Sequence, residues 1–92
     1  MDKEHIIGVV MKRIIDSEQS NIIGHRIKLA RERAGLSQKQ LSDQLELMAV
    51  YTCRGSLSRI ENGKRAVTDI EIDAISKVLG VSLNYLFGRE ES

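Results

Sequence analysis

Residues 36–65 read LSQKQLSDQLELMAVYTCRGSLSRIENGKR, and the spacing of apolar positions in this stretch decides the architecture of the chain. Ser37 followed by Gln40 forms a capping-box pattern, in which a hydroxyl and an amide close the orphan backbone donors at a helix start. A helix therefore begins at Gln38. Leu41 and Leu45 recur at i and i+4 on one face, while Gln38, Lys39, Asp43 and Gln44 lie elsewhere, giving a buried stripe and a wet side. A second helix opens between Cys53 and Ser56 and runs to Asn62. Leu57 and Ile60 form its inner face, and Arg54, Ser58, Arg59 and Glu61 lie off it. Gly63 supplies the left-handed residue that closes a helix.

Three blocks carry a family resemblance: GLSQKQLSDQL (Gly35–Leu45), SRIENGKR (Ser58–Arg65) and LGVSLNYLFG (Leu79–Gly88). Together and in this order they resemble the Cro and phage-repressor, or XRE-type, helix-turn-helix family over roughly residues 22–88. The fold this implies is all-α, a compact five-helix lambda-repressor-like DNA-binding domain. One departure stands out. The family joins its second and third helices by a turn of a few residues, whereas ELMAVY (Glu46–Tyr51) inserts about five extra here. Met48, with Leu47, Val50 and Tyr51, is expected to cover the edge of the core.

Outward from the central stretch the pattern stays helical. Ile23, Ile27, Ala30 and Ala34 recur at helical spacing among basic residues, with Gly35 as a stop. Thr68 and Glu71 make another capping box, Ile72, Ile75 and Leu79 form an apolar stripe, and Gly80 with Val81 suits a closing motif. Ser82 caps a last turn bearing Leu83, Leu86 and Phe87. Before the domain, Ile7, Val10, Met11, Ile14 and Ile15 share one side of a predicted helix. The expected organisation is an N-terminal helical extension over 1–20, the helix-turn-helix domain over 21–88, and a tail over 89–92. The extension's stripe either folds back on its own domain or forms a dimer contact. Two-fold symmetry is the usual way for such domains to span half-sites about 34 Å apart, so a homodimer is expected.

The 92 residues, 41% of them hydrophobic, suit one small domain with a single core. One cysteine excludes an intrachain disulfide, no apolar run approaches the roughly 18 residues of a membrane span, and no secretory leader pattern is present. The sequence reads as cytoplasmic, with no membrane partner. Aromatic residues make up only 3%, leaving few rings on which single-stranded bases could stack, so double-stranded DNA is the expected nucleic acid. The net charge is just +1, but it is segregated. Residues 22–33 and 53–65 each carry a basic surplus of three, and residues 69–92 an acidic surplus of three. A basic face and an acidic end orient a domain on a polyanion.

The resemblance assigns roles. Arg54, Gly55 and Arg59 occupy the family's base-facing positions, with Ser56 and Ser58 beside them. A guanidinium grips guanine O6 and N7 bidentately, discriminating by about 1–3 kcal/mol per base, whereas Gly55 reads only by permitting close approach. The alternative for each arginine is a solvated charge or a phosphate contact. Gln38, at the positive end of its helix, together with Asn62, Lys64 and Arg65, is expected to contact phosphate. Asn62 alternatively caps its helix. Arg31 and Glu61 match a pair that joins the first helix to the recognition helix, an architectural role.

Cys53 at a helix start beside Arg54 invites a redox reading, but a small residue at that position more often acts as filler or a weak cap. His5 and His25 are too few and too isolated for a metal site, and neither a cofactor nor a small-molecule ligand is expected. No phosphate-binding glycine loop, nucleophile elbow or paired catalytic carboxylates appear, which argues against an enzyme. The expected function is a sequence-specific transcriptional regulator, a repressor by preference, reading the major groove with the helix around 54–62. The alternative is a protein-protein interaction module on the same fold, an antitoxin or adaptor with little DNA binding. Charge arrayed along the second helix favours the regulator.

Overall fold

A computed structural model describes residues 19–90, which form five helices and no strand. In chain order these are α1 (Gly24–Arg33), α2 (Gln38–Leu47), α3 (Arg54–Glu61), α4 (Asp69–Leu79) and α5 (Leu83–Leu86). The helix expected over 3–16, and with it nearly all of the 1–20 extension, lies outside the described residues.

Local chemistry sets most helix starts. Ser37 accepts from the Gln40 N–H at 3.0 Å while the Gln40 side chain accepts from the Ser37 N–H at 2.8 Å, closing the box at α2. Thr68 and Glu71 make the same reciprocal pair at α4, and Ser82 accepts from the Tyr85 N–H at α5. Each such cap contributes about 1 kcal/mol relative to alanine. The starts of α1 and α3 are different. Neither the Ile23 nor the Cys53 side chain caps its helix; at α1 the Asn21 side chain takes over, accepting from the Ile23 and Gly24 N–H groups.

The core collects the inner stripe of every helix: Ile23, Ile27 and Ala30 from the α1 region, Leu41 and Leu45 from α2, Leu57 and Ile60 from α3, Ala74 and Ile75 from α4, and Tyr85 and Leu86 from α5. Fully burying an aliphatic side chain of this size contributes about 1.5–3 kcal/mol. Helix α3 packs against both α1 and α2, while α4 packs on α2 and is closed off by α5. The two supporting helices thus hold the inner side of α3, and its outer face is left open.

The long α2–α3 connection differs from the sequence expectation in two ways. Glu46 and Leu47 are not inserted loop; they extend α2 by a further half-turn, so the connection runs from Met48 to Cys53. Leu47 and Tyr51 do not cover the core edge either, being 81% and 77% exposed, and Val50 alone of the four packs inward. The cause is how α2 ends. Ala49 adopts φ +60°, its N–H donates to the Glu46 carbonyl at 2.9 Å, and the Val50 N–H reaches back to the Leu45 carbonyl at 3.0 Å. This 6→1, 5→2 pattern reverses the chain and drives Val50 toward the core, while the preceding apolar residues project outward. The other four helices close on left-handed glycines, Gly35, Gly63, Gly80 and Gly88, so Ala49 is the non-glycine residue that carries the strain.

Ala49→Gly removes that strain. Set against glycine's larger unfolded-state entropy, the expected gain is about 0.5–1 kcal/mol. Thermal unfolding should show a midpoint a few degrees higher; an unchanged or lower midpoint would refute the strain.

Candidate nucleic-acid interface

Helix α3 has only eight residues, about 12 Å, too short to persist by itself in water. It is held at its start and around its last turn by three polar clusters.

The first cluster lies beneath its last turn. Arg31 of α1 meets the Glu61 carboxylate bidentately, Nε to Oε2 at 2.7 Å and Nη2 to Oε1 at 2.9 Å. Arg31 Nη1 donates to the Leu36 carbonyl at 2.8 Å, and Gln38 Nε2 donates to Glu61 Oε1 at 3.1 Å. The sequence placed Glu61 off the core face, but the structure buries it, at 6% exposure, because these donors replace its water. Arg31 is buried too, and its hydrogen bond to Glu61 raises its pKa. Removing one partner of such a pair strands the other and costs about 3–5 kcal/mol.

The second cluster fixes the start of α3. Thr52 is buried; its carbonyl accepts from Ser42 Oγ of α2 at 2.7 Å, and its hydroxyl donates to Glu71 Oε2 of α4. Glu71 Oε1 accepts from Arg65 Nη1 at 3.0 Å and from the Thr68 N–H at 3.0 Å. Burial alone would push the Glu71 carboxyl up, but the hydrogen bonds from Arg65, Thr52 and Thr68 outweigh it and hold the pKa at about 2. The third cluster, at the end of α3, centres on Asn21. Its Nδ2 donates to the Ile60 and Arg65 carbonyls at 3.0 and 2.8 Å, and its Oδ1 accepts from the Gly24 N–H at 2.7 Å. Beside it Gly24 brings the α1 and α3 backbones together, since a Cβ there would sit 2.0 Å from the Ile60 carbonyl oxygen. Asn21, Gly24, Ser42 and Thr52 were not singled out in the sequence.

Supported this way, α3 turns Arg54, Gly55 and Arg59 to solvent. Arg59 Nη2 lies 3.4 Å from Ser56 Oγ, and around Gly55 a Cβ would meet nothing within 4 Å. Ser56 and Ser58 are half-buried at the flanks of this face. Asn62 and Lys64 are exposed just past the helix. Two of the residues expected at phosphate are drawn into the scaffold instead. The Gln38 amide serves Glu61, and Arg65 is half-buried on Glu71 and on the Ala66 carbonyl at 2.9 Å. Cys53 Sγ, exposed, lies 3.4 Å from Ser56 Oγ, and hydrogen bonds from the Ser56 side chain and backbone lower its pKa. Among the described residues no cluster of His, Cys, Asp or Glu fits a metal ion, and no helix is long and apolar enough to cross a membrane.

The helix-turn-helix family profile matches residues 27–86, a span that takes in α2, the connection and α3. The chain belongs to the XRE-type helix-turn-helix family. It is also 40% identical over 60 residues to the control protein C.MunI of Mycoplasma sp, a match covering 65% of this chain and 74% of that one. No solved structure matches the chain. Membership places it among DNA-binding transcriptional regulators.

The Glu71 carboxyl sets a pH dependence. Its folded pKa of about 2 lies below the ordinary 4.5, so its contribution is complete above pH 4.5 and is lost as pH falls from 4.5 toward 2. The difference corresponds to about 3 kcal/mol. Denaturant unfolding across that window should show a steeper acid loss for wild type than for Glu71→Gln; parallel losses would show that this carboxyl is not depressed.

Proposed function

We propose that this regulator is a sequence-specific repressor that binds double-stranded DNA as a homodimer, with α3 lying in the major groove. The reading rests on one observation: α3 buries Leu57 and Ile60 while presenting Arg54 and Arg59 outward on either side of an unobstructed Gly55. Five residues apart is about 500° around a helix, so the two guanidinium groups fall on different ridges. A helix seated in a groove some 12 Å wide uses both. Arg54 and Arg59 read base edges, Ser56 and Ser58 flank them, and Asn62 and Lys64 grip phosphate at the far end. At the near end the α2 N-terminus offers main-chain N–H groups beside Gln38 to a second phosphate. Arg65 acts through Glu71 as scaffold.

A second reading, a protein-protein module, has its own support in the exposed apolar residues Leu47, at the end of α2, and Met48 and Tyr51, on the connection that follows. Salt separates the two. Phosphate contacts release counterions, so log affinity for duplex falls steeply with log salt, whereas an apolar protein contact is nearly indifferent.

The test begins by selecting bound duplexes from a random pool and titrating salt. Arg59→Ala should weaken the selected site more than random DNA, and Lys64→Ala should weaken both alike and flatten the slope by about one unit. Equal losses on both DNAs for Arg59→Ala would remove its base-reading role, and no binding at low salt would remove the DNA reading. Gly55→Ala provides an independent check. Its Cβ enters open space and improves helix propensity, so the free protein gains about 0.5–1 kcal/mol. Binding to the selected duplex should nevertheless weaken; unimpaired binding would mean that the α3 outer face does not approach DNA closely at this point.

A further inference from the structure

The segment that leads into α1 is tied directly to the loop that follows α3. Asn21 uses its whole hydrogen-bonding capacity: Nδ2 donates to the carbonyls of Ile60 and Arg65, and Oδ1 accepts from the N–H groups of Ile23 at 3.1 Å and Gly24 at 2.7 Å. One residue earlier, the Ser20 N–H donates to the Gly63 carbonyl at 2.7 Å. Gln19 packs over the same glycine, its Cγ within 3.3 Å of where a Gly63 Cβ would stand. Three carbonyls along residues 60–65 are therefore held by two consecutive residues, and the opposite side of that loop exposes Asn62 and Lys64. The loop is tied also to α3, by the Gly63 N–H to the Ile60 carbonyl at 3.0 Å and the Lys64 N–H to the Arg59 carbonyl at 2.7 Å, and at its far end to α4, by Arg65 Nη1 to Glu71 Oε1 at 3.0 Å.

We infer that Asn21 is a positioning residue for phosphate contact: it fixes the height and exit direction of the 62–65 loop relative to α3, and so sets where the Lys64 ammonium meets the DNA backbone. Asn21 touches no DNA and acts through main-chain carbonyls. Capping α1 requires only its Oδ1. The two Nδ2 bonds, which reach across 39 and 44 residues of sequence, have no role in starting α1; they link the last turn of α3, at Ile60, to the loop, at Arg65. The inference rests on the DNA reading above and extends it to a residue remote from the reading face.

Asn21→Ser separates the two roles, because serine is an equally good N-cap acceptor but lacks an amide that reaches two carbonyls. The full chain is compared as wild type, Asn21→Ser, Lys64→Ala and the double variant, each titrated with salt on selected and random duplexes. Thermal unfolding registers the folded fraction, and Asn21→Asp, which keeps the cap and removes the donors, serves as the second variant. The expected result is that Asn21→Ser weakens both DNAs by similar factors, on the order of tenfold, and flattens the salt slope by about one unit. Lys64→Ala should then add little on that background, since the two substitutions remove one contact. Amide exchange at Gly63 and Lys64 in the free protein should quicken. If the wild type binds with a Lys64-dependent slope while the two substitutions combine additively, the positioning role is overturned and the DNA reading stands. If the wild type ignores duplex at low salt, both fall.

Discussion

A carboxylate cannot be kept out of water without donors to replace it, and the geometry of the domain follows from satisfying Glu61. Its two oxygens receive Arg31 from α1 and Gln38 from α2, so the residue at the end of α3 is simultaneously bound to the two helices beneath it. Replacing such a pair by well-packed apolar groups can be neutral in stability, but apolar contact is not directional. The fork of Arg31 is. It fixes the rotation of α3 about its own axis, and that rotation decides which side chains face inward with Leu57 and Ile60 and which face out.

Rotation alone leaves the ends of a short helix free, and two further clusters remove that freedom. At the start, Thr52 is bracketed between Ser42 and Glu71; at the end, Asn21 and Gly24 bring α1 against the Ile60 carbonyl. These supports come from α1, α2 and α4, and at the start they act through Thr52, near the end of the long Met48–Cys53 connection. Lengthening a surface loop is inexpensive in entropy, and here both its ends are anchored to the scaffold. The departure from the usual family turn shows at the surface, where Leu47 and Tyr51 stand out.

What was legible in the sequence was what depends on neighbours along the chain. The all-α architecture, the starts of α2, α4 and α5, and most of the inner stripes follow from residues three or four apart, and the structure reproduces them; Ala34, read with the stripe of α1, lies past its end and is exposed. Arg54 and Arg59 could be nominated because an outer face is defined by its inner one, and Gly55 through the family resemblance. The rest needed distance. Asn21 looks like any polar residue before a helix, and its partners lie 39 and 44 residues on. Glu71 was recognisable as half of a capping box, but its larger role depends on Thr52, 19 residues earlier. Arg65 follows Lys64 directly and reads as one more charge in a basic run, until α4 supplies its partner. Ala49 gave no signal, because alanine is not a residue that advertises a left-handed turn.

The near-contact at Gly24 has a bearing on how knowledge travels between relatives of this chain. With no side chain there, α1 and α3 lie backbone to backbone; with alanine, a Cβ 2.0 Å from a carbonyl oxygen would force the helices apart. A homologue bearing any larger residue at the equivalent place must seat its third helix farther from the scaffold, and every atom at its tip is displaced by a comparable amount. That single site thus serves as a gauge of how near the third helix of a relative can lie to its scaffold.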